Sequence, residues 1–339
     1  MFMNITPAQL SVFGSASAKD VEQCLQLLHL KLTRPNFDSE EFEGIKATFS
    51  TQVGGLLQNP SYRFSDTLNK FRCGNNPRFT GLPLTSEVQA LKLEQLKALY
   101  EKLTANLNGM LIVFSGNIDE KTFTGLIEKY IASIPARGDA IILNRENIVR
   151  SVKGKHTFLY KGGKENKSEI NHTYYGEVEQ VTDMDNMAFG LLTEILQMRA
   201  TEKLREEMGS TYSPRISGAI LRLPLGVYNL SLTVSSLPEN AEKIVAAFDS
   251  LVLQVLNGVL TTEQLDKAKA QRRKTFETMS KTNSYWTNVL EQQYIYGFDA
   301  SNIAEYITRL EAVTKDDIVT TAKKYLGNCN ILKGIMNPE

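Results

Sequence analysis

The sequence is short of the residues that most often do chemistry: three histidines, three cysteines and one tryptophan in 339 residues. A metal site needs ligands held close together, commonly two histidines on one helical face with a carboxylate. His29, His156 and His172 lie far apart, and Cys24 stands five residues before His29, off the i, i+4 face. Cys24, Cys73 and Cys329 form no C-x-x-C pair, so neither a disulfide framework nor a zinc knuckle is encoded. No G-x-S-x-G elbow occurs, and Gly162-Gly163-Lys164 lacks the G-x-x-x-x-G-K-[ST] frame of a phosphate loop. No catalytic residue and no metal ligand is therefore assigned in this chain.

Charge of one sign is missing too. Lys+Arg and Asp+Glu both number 38, giving zero formal net charge. A nucleic-acid binder carries a basic surplus to displace counterions, so DNA, RNA and acidic membrane surfaces are not expected partners. The Arg272-Arg273-Lys274 run, following Lys267 and Lys269 on one helix, reads as a solvated face. No apolar run approaches the roughly 18–20 residues that span a bilayer; the densest, Met110 to Phe114, has the length of one buried strand. The N-terminus lacks a basic start, and Asn4, Thr6, Pro7 and Gln9 interrupt its apolar stretch, so it does not read as a signal peptide.

What the chain has is apolar content, 42% hydrophobic residues over a length that suits two domains. It also has an internal repeat. Asp38-Ser39-Glu40-Glu41 and Thr261-Thr262-Glu263-Gln264 are both capping boxes opening helices, 223 residues apart. At the same offset Ser61-Tyr62 falls on Ser284-Tyr285 and Gly74 on Gly297. At 222, Glu94-Gln95-Leu96 meets Asp316-Asp317-Ile318, and Leu10 and Val12 meet Leu232 and Val234. A nearly constant offset points to duplication. The first copy then lacks counterparts of His156 to Leu225, about 70 residues on this reading of the repeat. The expected organisation is a partial first domain over 1–136, a linker over 137–154 and a complete second domain over 155–339.

In the second copy, His156–Tyr160 and Ile170–Tyr175 read as strands around a Gly162-Gly163 turn, a hairpin candidate. The spacing predicts a helix from Asp185 to about Met208, then strands Tyr212–Leu223 and Val227–Ser235. Tyr228, Leu230, Leu232 and Val234 alternate with polar residues, which favours an antiparallel sheet. Helices are expected over Glu239–Asn257, Thr262–Lys281, Ser284–Tyr296, Asn302–Leu310 and Lys315–Leu326, and a closing strand over Asn330–Ile335. The first copy adds a strand at Met110–Ser115 and a helix at Glu120–Ser133. The fold class is α+β: two related domains, each an antiparallel sheet with helices on one face, the first truncated at its N-terminus.

One segment joins a helix end to a strand: Leu204-Arg205-Glu206-Glu207-Met208-Gly209-Ser210-Thr211-Tyr212. A guanidinium and a phenol there could grip a carbonyl or carboxylate of an extended ligand, or could serve as an internal salt bridge and a half-buried ring. The Leu-Arg-Glu-x-x-Gly-x-x-Tyr run resembles the substrate-gripping segment of the pitrilysin/insulinase family of zinc metallopeptidases. Val113-Phe114-Ser115-Gly116-Asn117-Ile118-Asp119 and Lys129-Tyr130-Ile131-Ala132-Ser133-Ile134-Pro135 resemble the strand and helix that close one of its domains. The resemblance covers nearly the whole chain and implies most of the C-terminal half of a bacterial two-half member. It implies a zinc endopeptidase or oligopeptidase as parent, whose two halves close over an unstructured peptide.

The family motif His-x-x-Glu-His is absent, so this chain alone is expected to be inactive, with zinc in the N-terminal half. That catalytic half and a peptide are the expected partners, with no nucleic acid and no membrane. By the resemblance, Arg205 and Tyr212 are substrate-binding residues that hold the peptide backbone. A catalytically inactive scaffold or partner subunit of the same fold is the alternative. A periplasmic location follows from the resemblance alone.

Overall fold

Helix starts are set by capping side chains. Thr314 Oγ1 accepts from Asp317 N at 3.2 Å while Asp317 Oδ2 accepts from Thr314 N at 2.8 Å, and a helix opens at Lys315. Asn59 accepts from the amides of Ser61 and Tyr62 ahead of Pro60, whose fixed φ suits a first helical position. A computed structural model describes residues 1–6, 9–79, 81–136, 138–139, 148–208, 213–297 and 303–339. Its elements begin with β1 (Phe2–Ile5), β2 (Leu10–Phe13), α1 (Val21–Thr33), α2 (Ser39–Gln58), α3 (Pro60–Arg72), α4 (Thr85–Gln89), α5 (Leu93–Thr104) and α6 (Glu120–Tyr130). They continue with β3 (Lys155–Lys161), β4 (Ser168–Glu177), α7 (Asp183–Met208), β5 (Arg215–Leu221), β6 (Val227–Ser236), α8 (Ala241–Leu256), α9 (Thr262–Met279), α10 (Asn283–Tyr296), α11 (Tyr306–Ala312), α12 (Lys315–Leu326) and β7 (Asn330–Asn337).

Two compact units are drawn from both ends of the chain. One gathers Met1–Gly54, Pro83–Arg145 and Ser280–Ala300; the other gathers Gly55–Leu82, Glu146–Met279 and Ser301–Glu339. Helices in the two parts of the chain start 220 to 223 residues apart and in the same order: 21 and 241, 39 and 262, 60 and 283, 85 and 306, 93 and 315.

The second unit holds a five-stranded mixed sheet in the order β3-β7-β4-β6-β5. Four strands run antiparallel to their neighbours as the alternation in β6 implies, but β3 pairs with β7 in parallel, Lys155 opposite Ile331. β3 and β4 are therefore not a hairpin. β7 lies between them, and the glycine turn is held by the C-terminus instead: Gly162 N donates to Asn337 O and Glu339 N to Gly163 O. Gly163 sits at φ +86°, a conformation glycine adopts without penalty.

One sheet face carries Ile170, Tyr174, Leu230, Leu232, Val234 and Ile335 into a core shared with α7, α8, α9 and α12. The opposite face receives a helix as well. Phe64 and Leu68 of α3 bury against Tyr175, Leu332 and Met336, with Phe158 and Tyr160 at the margin. The helices thus cover one face broadly and the other locally.

Among the described residues, the strands of the first unit are the antiparallel pair β1–β2, Phe2 opposite Phe13. Met110–Ser115 is not a strand. The reason is partnership: β7, which starts 220 residues after Met110, is held by β3 on one side and β4 on the other. No described segment of the first unit offers such neighbours, and a strand without a ladder has unpaired amides.

Candidate functional site

The long helix α7 carries the candidate residue Arg205 on its last turn, and its own construction fixes where that turn ends. Met187, Ala188, Leu191, Leu192, Ile195, Leu196, Ala200 and Leu204 are buried, a stripe at helical spacing that anchors the helix along its length. Its start is locked at Asp185, which accepts from Thr182 N and Oγ1, both at 2.8 Å, and from Lys324 Nζ at 2.9 and 3.0 Å. Burial pushes the Asp185 carboxyl up, but the Thr182 and Lys324 bonds outweigh it and hold it below the ordinary carboxylate range. Near the other end, Gln197 clamps the start of β5. Its amide nitrogen donates to Pro214 O at 2.9 Å and its oxygen accepts from Ile216 N at 2.7 Å.

Arg205 is exposed and makes no hydrogen bond or ion pair with any described residue. Two other arginines of this unit are committed. Arg199 donates to Val259 O at 3.1 Å and to Gln254, and Arg272 lies 2.7 Å from Glu194. Tyr212, with 209–211, lies outside the described residues. Of the basic run expected to be solvated, Lys267, Arg273 and Lys274 are exposed, Arg273 pairing with Glu311. Arg272 instead fits over Gly190, where an added Cβ would lie 2.2 Å from its Nη2, and buried Lys269 donates to Glu311 O at 2.6 Å.

Register reveals a neighbourhood that the sequence alone did not assemble. On the sheet face away from α7, Arg215 of β5 stands opposite Thr233, and Ser217 opposite Ser231. Thr173 and Asn171 of β4 stand opposite Ser231 and Thr233 on the same face. Thr173 Oγ1 lies 2.9 Å from both Ser231 Oγ and Asn171 Oδ1. The result is a strip of hydroxyls and one amide on the sheet face opposite α7; Thr173 is buried and donates to Asn171, while Arg215, Ser217 and Thr233 are exposed. Those exposed groups offer donors to carbonyls and carboxylates. The available signal was the polar set of alternating residues in β6, but only strand order places β4 and β5 beside it.

The three histidines make their contacts elsewhere. His172 is buried on the core face, its Nε2 2.7 Å from Asp249 Oδ1, and Tyr174 also donates to that oxygen. Burial raises the Asp249 carboxyl, but the His172 and Tyr174 bonds and the Lys333 charge hold it low. Burial and Asp249 together push the Tyr174 phenol far up. His172 Nδ1 has no partner among the described residues, so no nucleophile is bonded to it there. His29 and His156 contact the backbone oxygens of Tyr130 and Lys153, each at 2.8 Å. Among the described residues no three His, Cys, Asp or Glu side chains group as a metal site, so a zinc ion does not fit this chain's described residues. No described helix is long and apolar enough to cross a membrane.

Residues 90–272 match the family model described as the peptidase M16 inactive domain. Among curated proteins, the chloroplastic stromal processing peptidase of Arabidopsis thaliana is 30% identical over 136 residues, covering 39% of this chain and 11% of that protein. Among solved structures, the periplasmic protease PqqL from Escherichia coli superposes with a TM-score of 0.78 at 16% identity, over 96% of this chain and 36% of that one. A protease from Helicobacter pylori gives 0.74 at 15% identity, over 95% of this chain and 78% of that one. The chain thus spans about a tenth of the curated relative and about a third of PqqL, and the structural likeness speaks to the fold.

Proposed function

Because the chain belongs to the peptidase M16 family, we propose that it is the non-catalytic, substrate-binding C-terminal half of a zinc-dependent endopeptidase or oligopeptidase. The observation that carries this reading is Arg205: an exposed guanidinium with no described partner, at the end of a helix whose core anchors and Gln197 clamp fix the junction. A cation held ready at the end of α7 is suited to the carbonyls and terminal carboxylate of an extended peptide. Tyr212, seven residues on, supplies a second donor. The catalytic half, carrying the zinc and the groups that activate water, is a separate region or subunit that closes over the peptide. Its general base and metal are outside this chain, and the present half contributes preorganised donors for developing oxyanion charge. The chain is built from a duplicated α+β domain, divided near 136 and 155. A periplasmic location is consistent with the likeness to PqqL.

The test is titration of a fluorescent, unstructured peptide against the whole chain. Binding is expected to weaken roughly tenfold in Arg205→Ala, equivalent to about 1.4 kcal/mol, with a smaller loss in Tyr212→Phe. Since Arg205 is exposed, its variant retains the fold. Equal affinity for wild type and both variants would remove the pair from the substrate path. Stoichiometric zinc binding with unaided peptide cleavage by the chain would sink the non-catalytic assignment.

A further inference from the structure

The two edges of the sheet in the second unit differ in how they meet solvent. At one edge β3, paired with β7 alone, carries an exposed lysine at each end, Lys155 and Lys161. Lysines on an edge deter the approach of another strand. At the other edge β5, paired with β6 alone, reads Arg-Ile-Ser-Gly-Ala-Ile-Leu. After Arg215 it holds no charge and no proline. Its register with β6 runs one to one, from Arg215 opposite Thr233 to Leu221 opposite Val227, without a bulge. Neither charge, proline nor bulge therefore blunts this edge over 217–221.

One hydrogen bond shows which backbone groups face outward. Ile216 N donates to Gln197 Oε1 at 2.7 Å, so it points away from β6. In an antiparallel ladder the bonded and non-bonded pairs alternate, and the amides and carbonyls of Gly218 and Ile220 point outward with it. The side chains of Ile216 and Ile220 turn to the core and anchor the strand there. Gln197 also donates to Pro214 O at 2.9 Å. Its carboxamide thus imitates a neighbouring strand at 214 and 216, and the edge is open to a real one from Gly218 onward.

Arg215 selects among occupants. It is exposed and forms no hydrogen bond or ion pair with a described residue, and Ser217 and Thr233 beside it are neutral. A second copy of the chain suits it poorly, because β5 contains no carboxylate and a β5–β5 pair would leave both guanidinium groups without a counter-charge. An extended peptide with an acidic residue supplies one. We infer that the outer edge of β5 takes up such a peptide as an added strand, its backbone bonded to Gly218 and Ile220 and its acidic side chain beside Arg215. The inference rests on the peptide-binding reading above and names how the backbone is held and which side chain is preferred.

The experiment titrates the whole chain with an unstructured, glutamate-containing peptide, unmodified or N-methylated at alternate residues in either phase. One phase turns its methyl groups toward β5 and should bind about tenfold more weakly, the equivalent of two lost backbone bonds. The other turns them to solvent and should bind like the unmodified peptide. Amide exchange at Gly218 and Ile220 should slow when the unmodified peptide is bound, and that of β3 should not. Ser217 is exposed, so Ser217→Lys keeps the fold and gives β5 the guard that β3 has; it should weaken binding as the methyl groups do. Exchanging the glutamate of the peptide for glutamine should weaken binding to the wild type and make no difference to Arg215→Gln. Equal binding of both methylated phases overturns the proposal, and so does protection of β3 in place of β5, or no peptide binding at all. A glutamate preference that persists in Arg215→Gln removes Arg215 from the site. Sedimentation of the free chain as a dimer that Ser217→Lys returns to monomer would give the edge to a second copy. Weaker binding in Arg205→Ala with both phases equal would leave the peptide-binding reading standing without this edge. Phase-dependent binding that ignores Arg205→Ala would keep the edge and remove Arg205.

Discussion

A single carboxylate governs the start of the helix on which the candidate site depends. Asp185 is mostly shielded from solvent, and its acceptors serve two donors from Thr182 and two contacts from Lys324. Replacing it with asparagine keeps the shape but removes the charge, so Asp185→Asn should cost about 1–2 kcal/mol at neutral pH, the range of a lost cap and a charged hydrogen bond. The pH dependence has a definite sign. A carboxyl whose folded-state value lies below its unfolded value, as the Thr182 and Lys324 bonds hold this one against its burial, contributes stability that is complete above the unfolded value near 3.9. That contribution falls away as the pH drops through the lower, folded-state value. The difference between wild type and Asp185→Asn, read from urea midpoints, should therefore shrink below about pH 4 and be constant above about pH 5. A difference that grows on acidification would contradict this account.

Between elements, α3 fits closely on the sheet. Gly334 in β7 leaves room for Leu68, and a Cβ added there would meet Leu68 Cδ2 at 2.8 Å, Cδ1 at 2.9 Å and Asn171 O at 3.2 Å. Gly334→Ala should destabilise the second unit by about 1–2 kcal/mol through overpacking, and Leu68→Ala by about 2–4 kcal/mol through the cavity it leaves. Combined, they should cost less than their sum, because the smaller side chain at 68 vacates the space the methyl needs. Strict additivity of the unfolding energies would mean that α3 does not dock through this pair. The same contact marks the limit of sequence reading. α12 was legible to the residue, because Thr314 and Asp317 are a local signal, and the alternation in β6 gave its buried face. Nothing local in Pro60–Arg72 says which sheet the helix covers, and nothing around Gly162 says that β7 will enter between β3 and β4 in parallel. Arg205 was legible as a motif at a helix end. Arg215 and the Thr173–Ser231–Ser217 strip were not, since they become neighbours only once register is fixed.

At the scale of the whole molecule, the two units differ in how much apolar surface they bury. Among the described residues, the buried apolar side chains of the first unit are Leu25, Leu32, Val53, Val88 and Ile134, while the second encloses a continuous cluster running from Ile170 to Ile335. At roughly 25 cal/mol per Å² of apolar surface removed from water, a handful of buried side chains offsets little of the chain entropy lost on ordering eight elements. The first unit should accordingly unfold first. The sequence supplies its own reporter: Trp286 is the single tryptophan and lies in the first unit, on α10, where its Nε1 donates to Ser280 O at 2.8 Å. In urea, tryptophan fluorescence should change at a lower midpoint than the main loss of far-UV ellipticity, which is dominated by the second unit's helices. Coincident fluorescence and ellipticity curves in the unmodified chain would instead show one cooperative unit, and would mean that the sparse packing around α1, α2 and α5 is made good by the rest of the molecule.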